Sequence, residues 1–194
     1  ALGYHCLEAE GFEADDILGT LADAAVESGD TCVIATGDRD SLQLVSDTVT
    51  VLLAATKMGR PEVTVCDKAY IKEKYGVTPP QMIEIKALQG DASDNIPGVP
   101  GVGEKTAQDL IQRFHDIDKI YAGLDSIDVK PGVRKKLEAG KDSAFLSREL
   151  GTICLTAPVS RNLADYIPAP RQDDKAAALL RDLEFFKMLE KYGL

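Results

Sequence analysis

Apolar residues fall at helical spacing from Asp15 to about Ser28. Ile17, Leu18, Leu21, Ala22 and Ala25 share one stripe, which predicts an amphipathic helix. Thr31-Cys-Val-Ile-Ala-Thr36 is an unbroken apolar run too short for a helix, and it suits a buried parallel strand. Ser41 to Val45 reads as a short helix and Val49 to Leu53 as a second strand. Gly59-Arg60-Pro61 marks a turn, and Glu62 to Cys66 is a weaker strand suited to a sheet edge. Helical patterns then dominate, over Asp67–Tyr75, Pro79–Leu88 and Glu104–Phe114, with further helices to Gly151. Thr78 is placed as N-cap with Pro79 in the first turn. Gly151 to Pro158 is read as a returning strand. Ala177, Leu180, Leu183, Phe186 and Leu189 set one helical period over Asp174–Tyr192.

This order predicts an α/β fold: a twisted sheet with helices, followed from about residue 77 by a mostly helical region. Residues 1–76 are assigned to the α/β part, 77–151 to the helical part, and 152–194 to a returning strand, a linker and a C-terminal helix. The prolines and charges of Asn162–Lys175 make it the linker candidate.

At 194 residues the chain suits one compact domain, or one with a small appendage. No run approaches the roughly 20 apolar residues that cross a bilayer. The start, Ala1-Leu-Gly-Tyr-His-Cys6, has no basic region and no signal-peptide core. It also lacks Met, so a piece of a longer protein is expected, and with the scattered cysteines the chain reads as cytosolic. Cys6, Cys32, Cys66 and Cys154 are scattered with no Cys-x-x-Cys pair, which argues against zinc and disulfides. Cys32 and Cys154 lie in apolar segments and read as small buried hydrophobes. His5 and His115 are isolated and are not assigned to chemistry.

The formal charge of −10 argues at first against a nucleic-acid partner. Its distribution changes that picture. Seven acids come in three bursts: Glu13-Ala-Asp15-Asp16, Gly37-Asp38-Arg39-Asp40, and Gly90-Asp91-Ala-Ser-Asp94-Asn95. Without them the imbalance is small, and Lys105, Lys130, Arg134, Lys135, Lys136 and Lys141 gather late in the chain as a candidate phosphate-binding patch. For Arg134-Lys135-Lys136 alone, a solvated helix face is the simpler reading.

Each acidic burst has a structural alternative. Glu13, Asp15 and Asp16 straddle a helix start, where carboxylates cap amides; three in four positions exceed that need. Asp38 and Asp40 follow a buried strand, where open α/β sheets place ligands, but Asp40 also suits an N-cap for the helix from Ser41. Asp91 and Asp94 share a face if helical, and otherwise belong to a turn before Pro97. Packed carboxylates repel, and a hard divalent cation such as Mg²⁺ or Mn²⁺ is the usual compensation. Soon after comes Gly98-Val-Pro-Gly101-Val-Gly103-Glu-Lys105-Thr106, a Pro/Gly turn opening a helix, in the form of a helix–hairpin–helix. The amides of Gly103, Glu104 and Lys105 would face a phosphate there.

The segments Gly11–Asp16, Ala35–Leu44, Leu88–Ala107 and Leu183–Leu194, in this order, resemble the 5′-nuclease (flap endonuclease) family, in particular the 5′→3′ exonuclease domain of bacterial DNA polymerase I. The resemblance implies a partial PIN-like parallel sheet followed by a helix-hairpin-helix region. It also implies that a first strand with an Asp, a second upstream Asp and a basic arch, roughly 80–100 residues, are absent before Ala1. By the resemblance, Asp16, Asp38 and Asp40 are catalytic. Glu13, Asp15, Asp16, Asp38, Asp40, Asp91 and Asp94 hold two Mg²⁺ (or Mn²⁺) ions roughly 3.5–4 Å apart, directly or through water. Gly98, Val99, Gly101, Val102, Gly103, Glu104, Lys105 and Thr106 hold the DNA backbone, with K⁺ on the hairpin carbonyls. The implied substrate is branched, 5′-flap or nicked DNA in replication and repair, with a polymerase portion following and no membrane partner. The 194 residues alone are expected to be inactive. Two other readings stay open: a non-catalytic duplex-binding module, and a PIN-type Mg²⁺-dependent RNase.

Overall fold

The computed structural model describes residues 1–194. Helix α1 (Ala14–Ser28) starts at a capping box, in which the Glu13 side chain meets the third-position amide and Asp16 reaches back to the Glu13 amide. It stops at Gly29, whose φ of 77° is the left-handed cap that glycine supplies without a Cβ clash. Strand β1 (Cys32–Thr36) pairs in parallel with β2 (Val49–Lys57), Ile34 opposite Val51. Between them a 3₁₀ turn covers Asp40–Leu44, where the sequence predicts a short helix. β2 turns at Met58-Gly59, both with positive φ, into antiparallel β3 (Arg60–Cys66). The sheet is therefore mixed, in the order β1-β2-β3, and β3 lies at an edge as expected.

The remaining helices are α2 (Lys68–Tyr75), α3 (Gln81–Gln89), α4 (Glu104–Phe114), α5 (Ile117–Ala122), α6 (Pro131–Ala139), α7 (Lys141–Gly151), α8 (Asp173–Asp182) and α9 (Phe186–Tyr192). Asp67 caps α2 by accepting from the Tyr70 amide at 2.7 Å. One apolar core runs from Ile34, Val49 and Val51 under the sheet, through Ile71 and Leu88, to Leu110, Ile111 and Leu137 in the helical region. Leu88, Ile111 and Leu137 are wholly buried, worth about 1.5–3 kcal/mol each. α3 lies at the centre, packed on α4, α7 and the 3₁₀ turn, so its C-terminal end is rigidly placed.

Several expectations need correction. The β1 run is buried on one face only: Val33 is 62% exposed and lies on the same side as Val63 and Val65. Arg60 and Pro61 belong to β3 rather than to the turn. Thr78 does not cap α3; its amide and hydroxyl both donate to Gln81 Oε1, and the helix starts after Pro79 and Pro80. Gly151–Pro158 forms no strand, because its amides find acceptors on α1: Cys154 N donates to Asp16 Oδ1 and Ala157 N to Thr20 Oγ1, at 2.8 and 2.9 Å. Asn162–Lys175 is tied to the N-terminus through Ala169 N to Gly3 O and Gln172 N to Ala1 O. The last helical period breaks at Leu183–Phe185, where Glu184 takes a φ of 56°. Cys32 and Cys154 are only half buried, whereas Cys66 is fully buried. No helix is long and apolar enough to cross a membrane.

Candidate metal centre and nucleic-acid interface

Three elements aim acids at one region. The start of α1 supplies Glu13, Asp15 and Asp16; the link after β1 supplies Asp38 and the 3₁₀ turn Asp40; the turn after α3 supplies Asp91 and Asp94. Glu13, Asp15, Asp16, Asp40 and Asp94 line a single groove of about 380 Å³ together with Leu150–Cys154. Asp91 lines an adjoining cavity of about 150 Å³ with Asp40 and Lys86. Asp38 lines neither, yet its charge acts on both Asp15 and Asp40. No three of the acids close into a grip on one ion as placed.

Their roles differ in detail. Asp16 is fully engaged in structure, accepting from Glu13 N at 3.0 Å and from Cys154 N at 2.8 Å. Glu13 completes the same capping box. Capping therefore accounts for two of the first three acids and leaves Asp15 over. Burial raises the pKa of Asp15, and the charges of Asp38, Asp40, Glu13 and Asp16 raise it further. Asp15 has no cationic partner, so it is the uncompensated charge of the groove. The 3₁₀ turn is braced by Asp38, whose Oδ1 accepts from Asp40 N at 2.9 Å. Asp40 itself does not cap. Asp91 and Asp94 sit on a turn closed by paired Asp91–Ile96 backbone bonds, not on a helix face. The Ser93 hydroxyl, against burial and together with Lys86, holds the Asp91 carboxyl below its usual range.

The sequence reading passed over Lys86. Its Nζ donates to Asp40 Oδ2, lies 2.8 Å from Asp94 Oδ2 and 3.1 Å from Asp91 Oδ2. Burial would lower its pKa, but the bonds to Asp40 and Asp94 outweigh burial and hold it charged, above the ordinary lysine value. Burial also pushes the Asp40 carboxyl up, and Lys86 offsets this only in part. The available signal was one cation inside the apolar stretch Ile85-Lys86-Ala87-Leu88, five residues before Asp91.

The hairpin after Asp94 is locked to the core. Gly98 N donates to Ser147 Oγ and Val99 N to Leu88 O, while Ser143 Oγ donates to Gly98 O, at 2.9, 2.8 and 2.6 Å. Ser143 and Ser147, four apart on α7, were also passed over; their spacing places both on one helix face. Val99 and Val102 are 2% and 4% exposed, so they anchor the turn from inside rather than meeting a ligand. The amides of Gly103, Glu104 and Lys105 have no protein acceptor at the start of α4. Beside them, Lys105 and Thr106 share a groove of about 530 Å³ with Arg113 and Lys130. In the late basic cluster, Arg134 turns inward to Ile127 O and Lys136 to Gly101 O, both at 2.7 Å. Lys136 stays exposed all the same, and Lys135 is the member of Arg134-Lys135-Lys136 whose side chain has no hydrogen-bond partner.

Comparison with known proteins places this geometry. Residues 1–76 match the family described as 5′-3′ exonuclease, N-terminal resolvase-like domain, and residues 77–174 match 5′-3′ exonuclease, C-terminal SAM fold. The chain belongs to the 5′-3′ exonuclease family. Among relatives in that family, DNA polymerase I of Caldicellulosiruptor bescii is 43% identical over 97% of this chain and 22% of its own length. DNA polymerase I of Bacillus subtilis is 42% identical over 96% of this chain and 21% of its own. The chain thus spans about a fifth of the polymerases it matches. A flap endonuclease of bacteriophage T5, solved as a pseudo-enzyme–product complex with DNA and metal ions, is 26% identical with a TM-score of 0.58, over 75% of this chain and 50% of its own.

Proposed function

We propose that the protein containing this chain hydrolyses DNA phosphodiesters at 5′ ends and 5′ flaps in a divalent-metal-dependent reaction, as the nuclease part of a DNA polymerase I. The observation that carries the reading is the convergence of acids from the start of α1, the segment after β1 and the post-α3 turn around an uncompensated Asp15. The donor set fits a hard cation: the acids offer carboxylate oxygens, no histidine lines the groove, and the sulfur of its one cysteine, Cys154, is taken up by the Thr156 amide and hydroxyl at 3.4 Å. Asp15, Asp38, Asp40 and Asp94 would hold the metal, with Mg²⁺ or Mn²⁺ as the ions and two as their number. Asp91 would join through the adjoining cavity. Glu13 and Asp16, tied into the cap, would act through water. When bound, the ions supply a nucleophilic water and stabilise the leaving oxygen.

The chain's own residues do the positioning. The free amides at the start of α4, with Lys105, receive a backbone phosphate and no base edge, so binding is independent of sequence. Val99, Val102, Ser143 and Ser147 fix that turn relative to the acids. A K⁺ on the hairpin carbonyls would sit beside the Lys136 ammonium, which donates to Gly101 O at 2.7 Å. A 5′-flap DNA and a plain single-stranded RNA, each with Mg²⁺ and with EDTA, test the proposal on the full-length protein. Flap cleavage that EDTA stops is expected. Preferential cleavage of the RNA supports a PIN-type RNase instead, and flap binding without any product supports a binding module.

A further inference from the structure

Lys86 is 6% exposed, on a helix packed from several sides, and its ammonium sits among three carboxylates from two separate elements. A buried lysine of this kind needs a partner, and one carboxylate would suffice. Here Asp40, Asp91 and Asp94 each give it an oxygen. Those are the acids in the 3₁₀ turn after β1 and in the post-α3 turn that the metal-centre reading assigns to ions. We infer that Lys86 is a resident counter-cation. It holds these two elements together without metal, and it gives up at least one carboxylate when a divalent ion enters. This inference rests on the metal-centre reading.

The geometry supports exchange over a fixed structural bond. Asp16 spends both its oxygens on backbone amides, which an ion cannot replace, whereas Asp38 spends only Oδ1 that way and keeps Oδ2 for an ion. The Oδ2 atoms of Asp40, Asp91 and Asp94 spend theirs on one cation at the end of a flexible four-carbon stem. A divalent ion on Asp40 and Asp94 would lie within a few ångströms of the ammonium if Lys86 stayed, and two cations that close repel. The stem can retract toward the cavity that Lys86 lines with Gln89 and Gln108, whose amide oxygens are neutral acceptors. An ammonium seated on the site also keeps the acids from spreading apart before metal and substrate arrive, so the site is held ready without being locked.

The test is a Mg²⁺ titration of the 194-residue chain labelled with ¹⁵N, following the Lys86 ammonium signal and the backbone amides of residues 38–40 and 91–95. In the unsubstituted chain the Lys86 signal is expected to shift or exchange away in step with those amides. In Lys86→Met, and in Lys86→Gln as a second variant, Mg²⁺ should bind roughly tenfold or more tightly, because a nearby positive charge is gone. Both variants should melt below the unsubstituted chain without metal and recover more of the loss when Mg²⁺ is added. Lys86→Arg should keep the original affinity. Amides that respond while the Lys86 signal stays fixed, or variants that bind Mg²⁺ no better or more weakly, would overturn the inference and leave the metal centre standing. No response at any of these positions in any form would overturn the inference, and EDTA-insensitive flap cleavage by the full-length protein would overturn the metal-centre reading separately.

Discussion

Substituting alanine for Gly98 probes the joint between the acidic turn and the hairpin. Gly98 has a φ of +60°, and a Cβ there would lie 2.3 Å from Gly90 N and 2.5 Å from the carbonyl carbon of Gln89. The left-handed conformation costs a residue with a Cβ about 1–2 kcal/mol. Both clashing atoms are backbone, in the segment that ends α3, so the two strands of chain must separate, at about 1–3 kcal/mol by analogy with overpacked cores. A less flexible unfolded chain returns about 0.4–1 kcal/mol. The net is a loss of roughly 3 kcal/mol, or about 6–12 °C in melting temperature for a chain of this length. Urea unfolding followed by circular dichroism measures it. Gly103→Ala is the internal control: its φ is −98° and a Cβ would meet nothing within 4 Å. At that N-cap alanine should cost about 0.5 kcal/mol or less. A Gly98→Ala loss below about 1 kcal/mol, or equal losses at the two positions, would refute the reasoning that the hairpin is braced through Gly98.

Three further outcomes follow from the structure. Lys105→Ala should weaken duplex DNA binding for every sequence and lower the slope of log affinity against log salt by about one, read by fluorescence anisotropy at several salt concentrations. Tyr121→Phe should leave stability unchanged or raise it by up to about 1 kcal/mol, since its hydroxyl is buried with no partner while its ring packs 5.5 Å from Phe145. Burial pushes the Tyr121 phenol up to about 12, so the folded chain keeps that proton when the unfolded chain loses it. Its contribution is complete below the usual tyrosine value near 10 and falls away as pH rises toward 12; ultraviolet titration of tyrosine against Tyr121→Phe shows whether one ionisation is delayed.

What the sequence revealed was what short-range pattern encodes. Helix α4 begins and ends where its apolar stripe and glycine start place it, and β1, β2 and α1 shift by only a few residues. The three acidic bursts stood out because like charges rarely cluster without cause. The hidden parts depend on partners far apart in the chain. Asp16 looked like one more ligand, but its second oxygen is held by the Cys154 amide, 138 residues away. Lys86 looked like a charge on an ordinary helix, and only the fold brings Asp40 to it across 46 residues. Gly151–Pro158 had the composition of a strand, yet it satisfies its amides on α1 instead of a sheet edge. The break between α8 and α9 was masked because apolar residues continue in period across Glu184.

The central claim, that the acidic groove is a metal-dependent nuclease centre, is tested most directly by Asp38→Ala in the full-length protein. Asp38 caps nothing outside its own turn, and its charge acts on both Asp15 and Asp40. Cleavage of a 5′-flap substrate in saturating Mg²⁺ is measured beside affinity for the same DNA. The account expects cleavage to fall by roughly 10²–10³-fold or more while affinity stays within about threefold, because the hairpin's phosphate contacts are intact. Near-normal cleavage by Asp38→Ala would contradict it.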